Sequence, residues 1–397
     1  MASVGFRLEE PTVQAQALLD QFARWQGEML GLLEQLVNID SGTGHAPGIE
    51  AILDILEPRL KELGLTTRRF PSPVGPHLVA EGSREPRVLL MGHIDTVFPV
   101  GTAARRPFRV EGGRAYGPGV MDMKAGIVSM LYVLKALALA GGLHEHARVI
   151  INADEEISSP HSRALVAEYA PGCTAAFVFE PARSMEEVIT LRKGVGDVTI
   201  SVKGRAAHAG AAPQDGLSAV EELARITLAL HALTDLERGI SVNVGVVSGG
   251  TARNVVAEHA RARVDLRFPT KADGEALMER IREICTPSRP GYEIEVTGGM
   301  TRPPLERGPA IEALFAHVHA AGRELGLELV QSSSGGVSDA NLIADAGVPV
   351  IDSIGPVGGK AHSDDEYLEV DSIVPRAALA TLAISQLLAR QTKEAAW

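Results

Sequence analysis

Two adjacent glutamates, Glu155 and Glu156, follow Asp154 and the apolar segment 147–152 (ARVIIN). Carboxylates repel one another and cost free energy to remove from water. The simplest interpretation of this pair alone is therefore a solvated helix start, where the helix dipole favours negative charge. The alternative is a metal site in which one glutamate binds a cation and its neighbour acts as a general base. That alternative requires further ligands elsewhere in the chain.

Further residues of metal-binding type stand at or after the ends of other apolar segments. They are His93 at the end of RVLLMGH, Asp122 in the loop YGPGVMD, Glu180 at the end of AAFVFE, and His362 after VIDSIGPVGGKA. Taken singly, each is explained by a turn, a strand end or a core histidine. Ligands of open α/β sheets bind outside the carboxyl ends of the strands, so we expect these side chains to gather at one sheet edge. Mixed histidine and carboxylate ligands predict a divalent ion, most readily zinc.

The elements that would position these residues are short apolar strands separated by helical patterns. We expect strands at 87–93, 147–152 and 175–180, and helices at 13–37, 47–63, 124–140 and 371–391. Continuous apolar strands between helices indicate a mostly parallel sheet covered on both faces. The predicted fold class is therefore α/β, with a central sheet flanked by helices.

The middle of the chain has a different pattern. Strands at 198–204, 241–247, 262–268 and 292–296 alternate with helices at 215–233 and 272–284. This β-α-β-β-α-β order is typical of a ferredoxin-like α+β unit. A chain of 397 residues supports two cores, so we predict a domain formed by 1–194 and 304–397, with a smaller domain inserted at 195–303.

Composition limits the classes of partner. The chain has 50 Asp and Glu against 38 Lys and Arg, a formal net charge of −12, which argues against a nucleic-acid partner. Cys173 and Cys285 indicate neither a disulfide framework nor a zinc-binding cysteine pair. We expect no apolar run of membrane-spanning length and no membrane partner. The N-terminus lacks the charge order of a signal peptide, so a cytoplasmic protein is expected.

Six segments resemble, in order, the signatures of the M20 family of di-zinc peptidases and deacylases. They are GHIDTV, GPGVMDMKAG, NADEEISS, FEP, GRAAHAGAAPQDG and AHSDDEY. FEP and HAGAAPQDG resemble the glutamate-carboxypeptidase branch of the family most closely. The resemblance implies a zinc-peptidase catalytic domain with an inserted lid domain, and a homodimer formed through that lid.

The resemblance also implies the ligands of two Zn²⁺ ions, for which Co²⁺ or Mn²⁺ is expected to substitute. His93 and Glu180 would bind one ion, Glu156 and His362 would bind the other, and Asp122 would bridge the two.

Other residues would act beside the metal ligands. The resemblance implies that Asp95 orients His93, since a ligating imidazole needs its second nitrogen held. Glu155 would be the general base for the attacking water. It also implies a cis peptide bond between Asp122 and Met123.

The resemblance assigns roles to residues of the insertion and of the segment SSSGGVSD. His208 would reach the site of the partner subunit and stabilise the oxyanion, although it could instead pack within its own domain. Arg267, Gly335 and Gly336 would hold the substrate carboxylate, and Asn254, in a segment that resembles an Asn-Val-Ile-Pro turn of the family, would be a further substrate-binding residue. The alternative for Arg267 is a surface ion pair.

These residues predict zinc-dependent hydrolysis of an amide bond that releases an amino acid, by a carboxypeptidase or an N-acyl-amino-acid amidohydrolase. A narrow deacetylase or a dipeptidase is the nearest alternative, and the substrate is expected to be a small N-acyl amino acid or short peptide. A metal-bound but silent binding protein is disfavoured because Glu155 is present. A di-zinc phosphodiesterase is disfavoured because the motifs resemble carboxylate-recognising relatives. The segment before the insertion, MEEVITLRKG, begins with acidic residues, so strict selection of C-terminal glutamate is not expected.

Overall fold

The computed structural model describes residues 14–394. The first residue of the helix predicted at 13–37 and the N-terminal segment examined for a signal peptide lie outside the described residues. The described chain divides into two compact units. The first unit comprises the chain up to Thr190, Arg307–Ser332 and the chain from Ala346 onward, and the second comprises Leu191–Glu306 and Ser333–Asp345.

Six of the helices in the described chain follow the predicted helical segments closely. The helices are α1 (Ala15–Val37), α2 (Ala46–Glu62), α3 (Thr102–Arg105), α4 (Ala125–Leu139), α5 (Arg163–Tyr169), α6 (Ala219–His231), α7 (Lys271–Ile284), α8 (Pro309–Glu324), α9 (Asp339–Asp345) and α10 (Ile373–Glu394). Of these, α3, α5, α8 and α9 were not given bounds from the sequence. Short 3-10 turns occur at Leu143–His146, Glu155–Ile157, Pro213–Asp215 and Val370–Ser372.

The strands of the chain are shorter in the first unit than in the second. They are β1 (Thr66–Phe70), β2 (His77–Glu81), β3 (Val88–His93), β4 (Arg109–Glu111), β5 (Arg114–Tyr116), β6 (Ala147–Asn152), β7 (Ala175–Val178), β8 (Glu187–Arg192), β9 (Gly194–Lys203), β10 (Ser241–Gly249), β11 (His259–Phe268), β12 (Glu293–Arg302), β13 (Val330–Ser334), β14 (Val350–Ile351), β15 (Gly358–Gly359) and β16 (Tyr367–Glu369).

The first unit is built on a mixed six-stranded sheet with the order β1-β2-β6-β3-β7-β14. Strands β6, β3, β7 and β14 pair in parallel, whereas β1 and β2 run antiparallel at one edge. The four parallel strands are almost wholly buried, in agreement with their continuous apolar sequences. The predicted α/β class is confirmed, with an antiparallel edge added to the parallel centre.

Helices α1, α4 and α10 pack against one another beside this sheet. Helix α4 is apolar nearly all round its surface, as expected of a helix buried on several sides. It ends before Gly141 and Gly142, both of which adopt positive φ, a conformation that glycine reaches without the steric cost of a Cβ.

A second, smaller sheet of the first unit joins segments that are distant in sequence. Its order is β15-β16-β5-β4, and Tyr367 of β16 pairs with Tyr116 of β5. This pairing brings the loop that follows β5 beside the loop that precedes β16.

One helical stretch contradicts the expectation that no apolar run reaches membrane-spanning length. Val370–Ala389 is long and apolar enough to cross a membrane by length and composition, with a mean hydropathy of 1.4. However, 72% of this window is buried inside the structure, and the stretch packs on α1, α4 and α8 as the core helix α10. It is therefore weak evidence for a membrane segment.

The second unit is a four-stranded antiparallel sheet with the order β10-β11-β9-β12. Helices α6 and α7 cover one face, and a core separate from that of the first unit lies between them and the sheet. Side chains of β11 alternate between buried and exposed along the strand, which is the pattern of a sheet covered on one face. This strand order and the β-α-β-β-α-β sequence are those of the predicted ferredoxin-like unit.

The segment Ser333–Asp345 belongs to the second unit, whereas the sequence placed it with the first. Hydrogen bonds explain the difference. The Arg192 guanidinium donates to the carbonyls of Gly336 and Val337, and the Asn341 amide donates to the carbonyls of Lys193 and Pro303. These contacts join residues that are distant in sequence. Domain bounds drawn from sequence patterns alone therefore miss them.

Candidate metal centre

The five predicted metal ligands lie together in the first unit, as two groups that share Asp122. One group is His93, Asp122 and Glu180, and the other is Asp122, Glu156 and His362, with the ligand atoms of each group within 4.8 Å of one another.

Asp122 presents one carboxylate oxygen to each group. Its Oδ1 lies 3.2 Å from Nε2 of His93, and its Oδ2 lies 3.2 Å from Nε2 of His362. His93 Nε2 is also 3.7 Å from Glu180 Oε1, and His362 Nε2 is 3.2 Å from Glu156 Oε2. This is the placement required of a carboxylate that bridges two cations.

The large sheet positions three of the ligands by strand register. His93 of β3 pairs with Asn152 of β6, so both strands end at the same level. Glu156 lies in the 3-10 turn after β6. Glu180 follows β7, which runs parallel to β3. These three ligands therefore meet at the carboxyl edge of the sheet, as the sequence predicts.

The other two ligands depend on the small sheet, which the sequence analysis did not anticipate. Asp122 follows β5, and His362 lies between β15 and β16. His362 adopts a positive φ of 62°, an uncommon conformation for a residue with a side chain. The expectation that every ligand lies at one sheet edge is therefore corrected: the centre is assembled from two sheets.

The loop that carries Asp122 is held by Glu366, a buried carboxylate that sequence reasoning missed. Glu366 accepts backbone N–H hydrogen bonds from Gly119 (3.1 Å), Met121 (2.9 Å) and Asp122 itself (3.1 Å). Burial raises the pKa of Glu366 to about 7, while the bonds from these N–H groups act in the opposite direction. The Asp122–Met123 peptide bond is cis, which confirms the prediction.

Asp95 connects one ligand with the segment of the adjacent glutamates. Nδ1 of His93 lies 3.0 Å from the backbone oxygen of Asp95 and 3.4 Å from its Oδ1. The Asp95 carboxylate accepts the backbone N–H groups of Glu155 and Glu156, each at 3.2 Å, and the Thr43 hydroxyl at 2.7 Å. Asp95 thus contacts the imidazole through its backbone oxygen as well as its side chain, and its predicted orienting role stays a prediction. Thr43 was not identified from the sequence.

Asp154, the third acidic residue of the run, has a structural task. Its buried carboxylate accepts the N–H groups of His161 (2.7 Å) and Ser162 (3.1 Å) and the Ser162 hydroxyl (2.5 Å). It therefore closes the turn that leads into α5.

The charges of the five ligands favour cations at this place. Burial lowers the pKa of His93, but hydrogen bonds to Asp122 and Asp95 outweigh it and raise the pKa above the usual value. Hydrogen bonds to Asp122 and Glu156 raise the pKa of His362 to about 10. Burial raises the pKa of Glu180 well above its usual value, and the nearby charge of Glu155 adds to this.

The donor set itself fits a pair of divalent ions. Once both imidazoles have lost their protons, as metal binding requires, the three ionised carboxylates leave this donor set with a charge of −3, which is costly inside a protein unless cations compensate it. Imidazole nitrogen and carboxylate oxygen are the ligands typical of zinc and similar metals.

The remaining predicted site residues lie in the second unit. His208 is exposed and forms an isolated bridge with Val255, next to Asn254. Its Nδ1 accepts the N–H groups of Gly210 (3.2 Å) and Ala211 (3.0 Å). A neutral imidazole whose Nδ1 accepts carries its proton on Nε2, so the free edge of this ring is a donor.

Arg267 and Gly336 are engaged in local contacts, and Gly335 lies in the segment between β13 and α9. Nε and Nη2 of Arg267 donate to the two carboxylate oxygens of Asp265, both at 2.9 Å, which is the ion pair considered as the alternative. Gly336 donates its N–H to Ser334 and accepts from Arg192. Arg192 is a buried residue at the end of β8, and it was not identified as a site residue from the sequence. The predicted carboxylate-binding role of these residues stays a prediction.

Comparison with known proteins agrees with the site. Residues 89–386 match the model of peptidase family M20/M25/M40. The chain is 33% identical to carboxypeptidase G2 of Pseudomonas sp. (strain RS-16), over 98% of this chain and 95% of that protein. It is 29% identical to succinyl-diaminopimelate desuccinylase of Dechloromonas aromatica (strain RCB), over 90% of this chain and 98% of that protein.

Solved structures share the fold. Aminopeptidase PepT of Bacillus cereus superimposes with a TM-score of 0.79 at 22% identity, over 90% of this chain and 98% of that one. The YXEP protein of Bacillus subtilis, described as a dinuclear metal binding peptidase from the M20 family, has a TM-score of 0.67 at 17% identity, over 92% and 99%. The chain therefore belongs to peptidase family M20/M25/M40 and is a metal-dependent hydrolase of amide bonds.

Proposed function

We propose that the protein is a zinc-dependent carboxypeptidase or N-acyl-amino-acid amidohydrolase. The observation that carries this proposal is the Asp122 carboxylate, whose two oxygens each face a different histidine. The similarity to carboxypeptidase G2 over nearly the whole chain supports the carboxypeptidase version. A narrow deacylase is the second candidate, because the similarity to a desuccinylase covers 90% of the chain.

In this proposal His93 and Glu180 would hold one Zn²⁺, Glu156 and His362 would hold the other, and Asp122 would be a ligand of both. When bound, such a pair of ions polarises the scissile carbonyl and makes a water acidic near neutral pH. Co²⁺ and Mn²⁺ are expected to substitute, since they accept the same ligand types.

The proton is moved by Glu155. Its carboxylate takes a proton from the attacking water and delivers it to the leaving nitrogen as the amide bond breaks. The backbone N–H of Glu155 is held by Asp95, which also contacts His93. The base and one ligand are therefore both held by a single buried residue, Asp95, through its carboxylate and its backbone oxygen.

A homodimer formed through the second unit is part of the proposal. Val220 and Leu228 of α6 and Val246 and Val247 of the edge strand β10 are exposed, and apolar side chains on an unpaired strand edge favour association. His208 of one subunit would then donate its Nε2–H to the oxyanion in the other subunit. Asn254, beside it, would contribute to holding the substrate carboxylate.

The first experiment is a screen of N-acyl amino acids and dipeptides with added Zn²⁺ or Co²⁺, scored by released amine. Glu155→Gln should lower kcat by about 10²–10⁴-fold, because proton transfer by a positioned side chain contributes about that much. Its metal content, measured by elemental analysis, should match that of the wild type.

Two results would contradict the proposal. Near-normal turnover of Glu155→Gln would show that Glu155 is not the base. Hydrolysis of p-nitrophenyl phosphate diesters without hydrolysis of any acyl-amino acid would favour a phosphodiesterase instead. A protein that binds zinc and cleaves none of these compounds would favour a binding role.

We also propose that the protein acts in the cytoplasm. Cys173 and Cys285 are buried free thiols, which suits a reducing compartment. Fractionation of the source cells with an antibody against the chain would test this.

A further inference from the structure

A cavity of about 520 Å³ adjoins the candidate metal ligand Glu156 in the first unit. Two loops, 42–45 and 96–100, line this cavity together with Glu156 and Ile157. Val97, Val100 and Ile157 are 43%, 58% and 48% exposed. Apolar side chains left open to solvent at one cavity typically mark a binding surface.

The walls of the cavity are preformed. The N–H of Thr43 donates to the carbonyl of Thr96, and the N–H of Thr96 donates to the carbonyl of Ser41, both at 3.0 Å. At Gly42 a Cβ would lie 2.2 Å from the Phe98 carbonyl oxygen, so the close approach of the two loops requires glycine.

The same walls are tied to the candidate metal centre. The Thr43 hydroxyl donates to Asp95, whose backbone oxygen and carboxylate contact Nδ1 of His93. Loop 42–45 is therefore fixed relative to the ligands, as expected of a subsite that must place one part of a substrate beside the reacting bond.

The lining gives an anionic group no basic side chain to pair with. Among the described residues that line the cavity there is no lysine or arginine, and burying a carboxylate without such a partner is costly. The polar side chains of the lining include those of Thr43, His45 and Thr96, and the other side chains beside them are mainly apolar. Its volume lies in the range of about 300–1,000 Å³ that is usual for small-molecule sites.

We infer that this cavity is the acyl-group subsite and that it binds an uncharged, largely apolar acyl group attached to the scissile carbonyl. The inference rests on the proposed function, in which the substrate has an amino-acid half and an acyl half. The amino-acid half carries a carboxylate that this lining would reject, so the acyl half is the part that the cavity accepts. Aromatic and medium-chain aliphatic acyl groups are therefore expected to be preferred over acetyl.

The test compares N-benzoyl and N-acetyl derivatives of one amino acid with the zinc-loaded enzyme. In the double variant Val97→Ser/Val100→Ser, the ratio of kcat/KM for benzoyl to that for acetyl should fall about tenfold, in line with the loss of apolar contact in a pocket. Leu139→Ser is the matched control, because Leu139 is 72% exposed at the end of α4 and does not line the cavity. It should leave the ratio unchanged.

A second variant tests whether the cavity selects against acyl groups that carry a negative charge. Val100→Lys should raise kcat/KM for the N-succinyl derivative relative to the N-acetyl derivative, because the new ammonium group can pair with the distal carboxylate. General damage to the enzyme would lower both values and leave their ratio unchanged, so this gain is specific to the subsite.

The outcomes separate this inference from the proposed function. If the wild type cleaves acyl-amino acids but neither ratio changes in the variants, the acyl-subsite assignment is wrong and the proposed function stands. If the wild type cleaves no acyl-amino acid and no dipeptide, both are wrong.

Discussion

At the scale of single residues, the candidate metal centre is held in place by carboxylates that are not among its five proposed ligands. Glu366 accepts three backbone N–H groups of the loop that carries Asp122, including the N–H of Asp122 itself. Asp95 accepts the N–H groups of Glu155 and Glu156. Each fixes the backbone of a proposed ligand or of the proposed base, which is the contribution expected of residues that surround a metal site.

Glu366→Gln should weaken metal binding by about 10–100-fold, a typical cost of losing an outer partner of a metal ligand. An amide has one acceptor oxygen, and its NH₂ group would face N–H donors that the carboxylate now satisfies. Competition with a zinc chelator measures the affinity. Asp365→Asn is the control, since this neighbour is exposed and pairs with Lys360. Equal affinity in both variants would show that the Glu366 contacts are dispensable.

At the scale of elements, two sheets and the connections between them determine the geometry. The parallel strands β3, β6 and β7 end together and supply His93, Glu156 and Glu180. Pairing of β5 with β16 brings the other two ligands together.

Away from the site, helix α2 and strand β1 are joined by hydrogen bonds to a charged carboxylate. Glu57 of α2 accepts hydrogen bonds from Thr67 and Arg69 of β1, both at 2.7 Å.

The Glu57 contacts predict a pH-dependent contribution to stability. Burial raises the pKa of Glu57, but bonds from Lys61, Thr67 and Arg69 outweigh it and lower the pKa to about 2 from 4.5. The stabilisation should be complete above pH 4.5 and should be lost as the pH falls towards 2.

Glu57→Gln should therefore lower the free energy of unfolding by about 1–2 kcal/mol at pH 7, as for hydrogen bonds to a charged group. The difference from the wild type should shrink progressively below pH 4.5. Urea unfolding followed by circular dichroism between pH 7 and pH 3 measures both. Glu50→Gln, an exposed change on the same helix, is the control. A difference that is constant with pH would contradict the ionic explanation.

At the scale of the whole molecule, the proposed dimer would make each site depend on two subunits. The exposed Leu228 and Val247 of the second unit are available for such an interface. Because a two-fold dimer presents the same surface twice, each subunit would lend its His208 to the other.

Mixing two inactive variants tests this arrangement. Glu155→Gln and His208→Ala should each have low activity, and co-refolded mixtures should recover about a quarter of the wild-type activity, since half of the dimers are mixed and each has one intact site. Adding Leu228→Glu to both chains should abolish the recovery and yield monomers in sedimentation analysis. No recovery from mixed dimers would show that His208 acts within its own subunit.

The sequence by itself determined the local features. Strand and helix positions, the α/β and ferredoxin-like classes, and the five ligand types follow from apolar periodicity and from residue types at segment ends, which depend on near neighbours along the chain. The family resemblance added the cis bond at Asp122, which the structure contains.

Only the tertiary structure decided the contacts between distant segments. Glu366 and Asp122 are far apart in sequence and meet because β5 pairs with β16. Loop 42–45 reaches the metal centre through Thr43 and Asp95, and Ser333–Asp345 joins the second unit through Arg192 and Asn341. Hydrogen bonds of this kind join donors and acceptors that carry no common pattern in the sequence, so folding has to bring them together before they can be recognised.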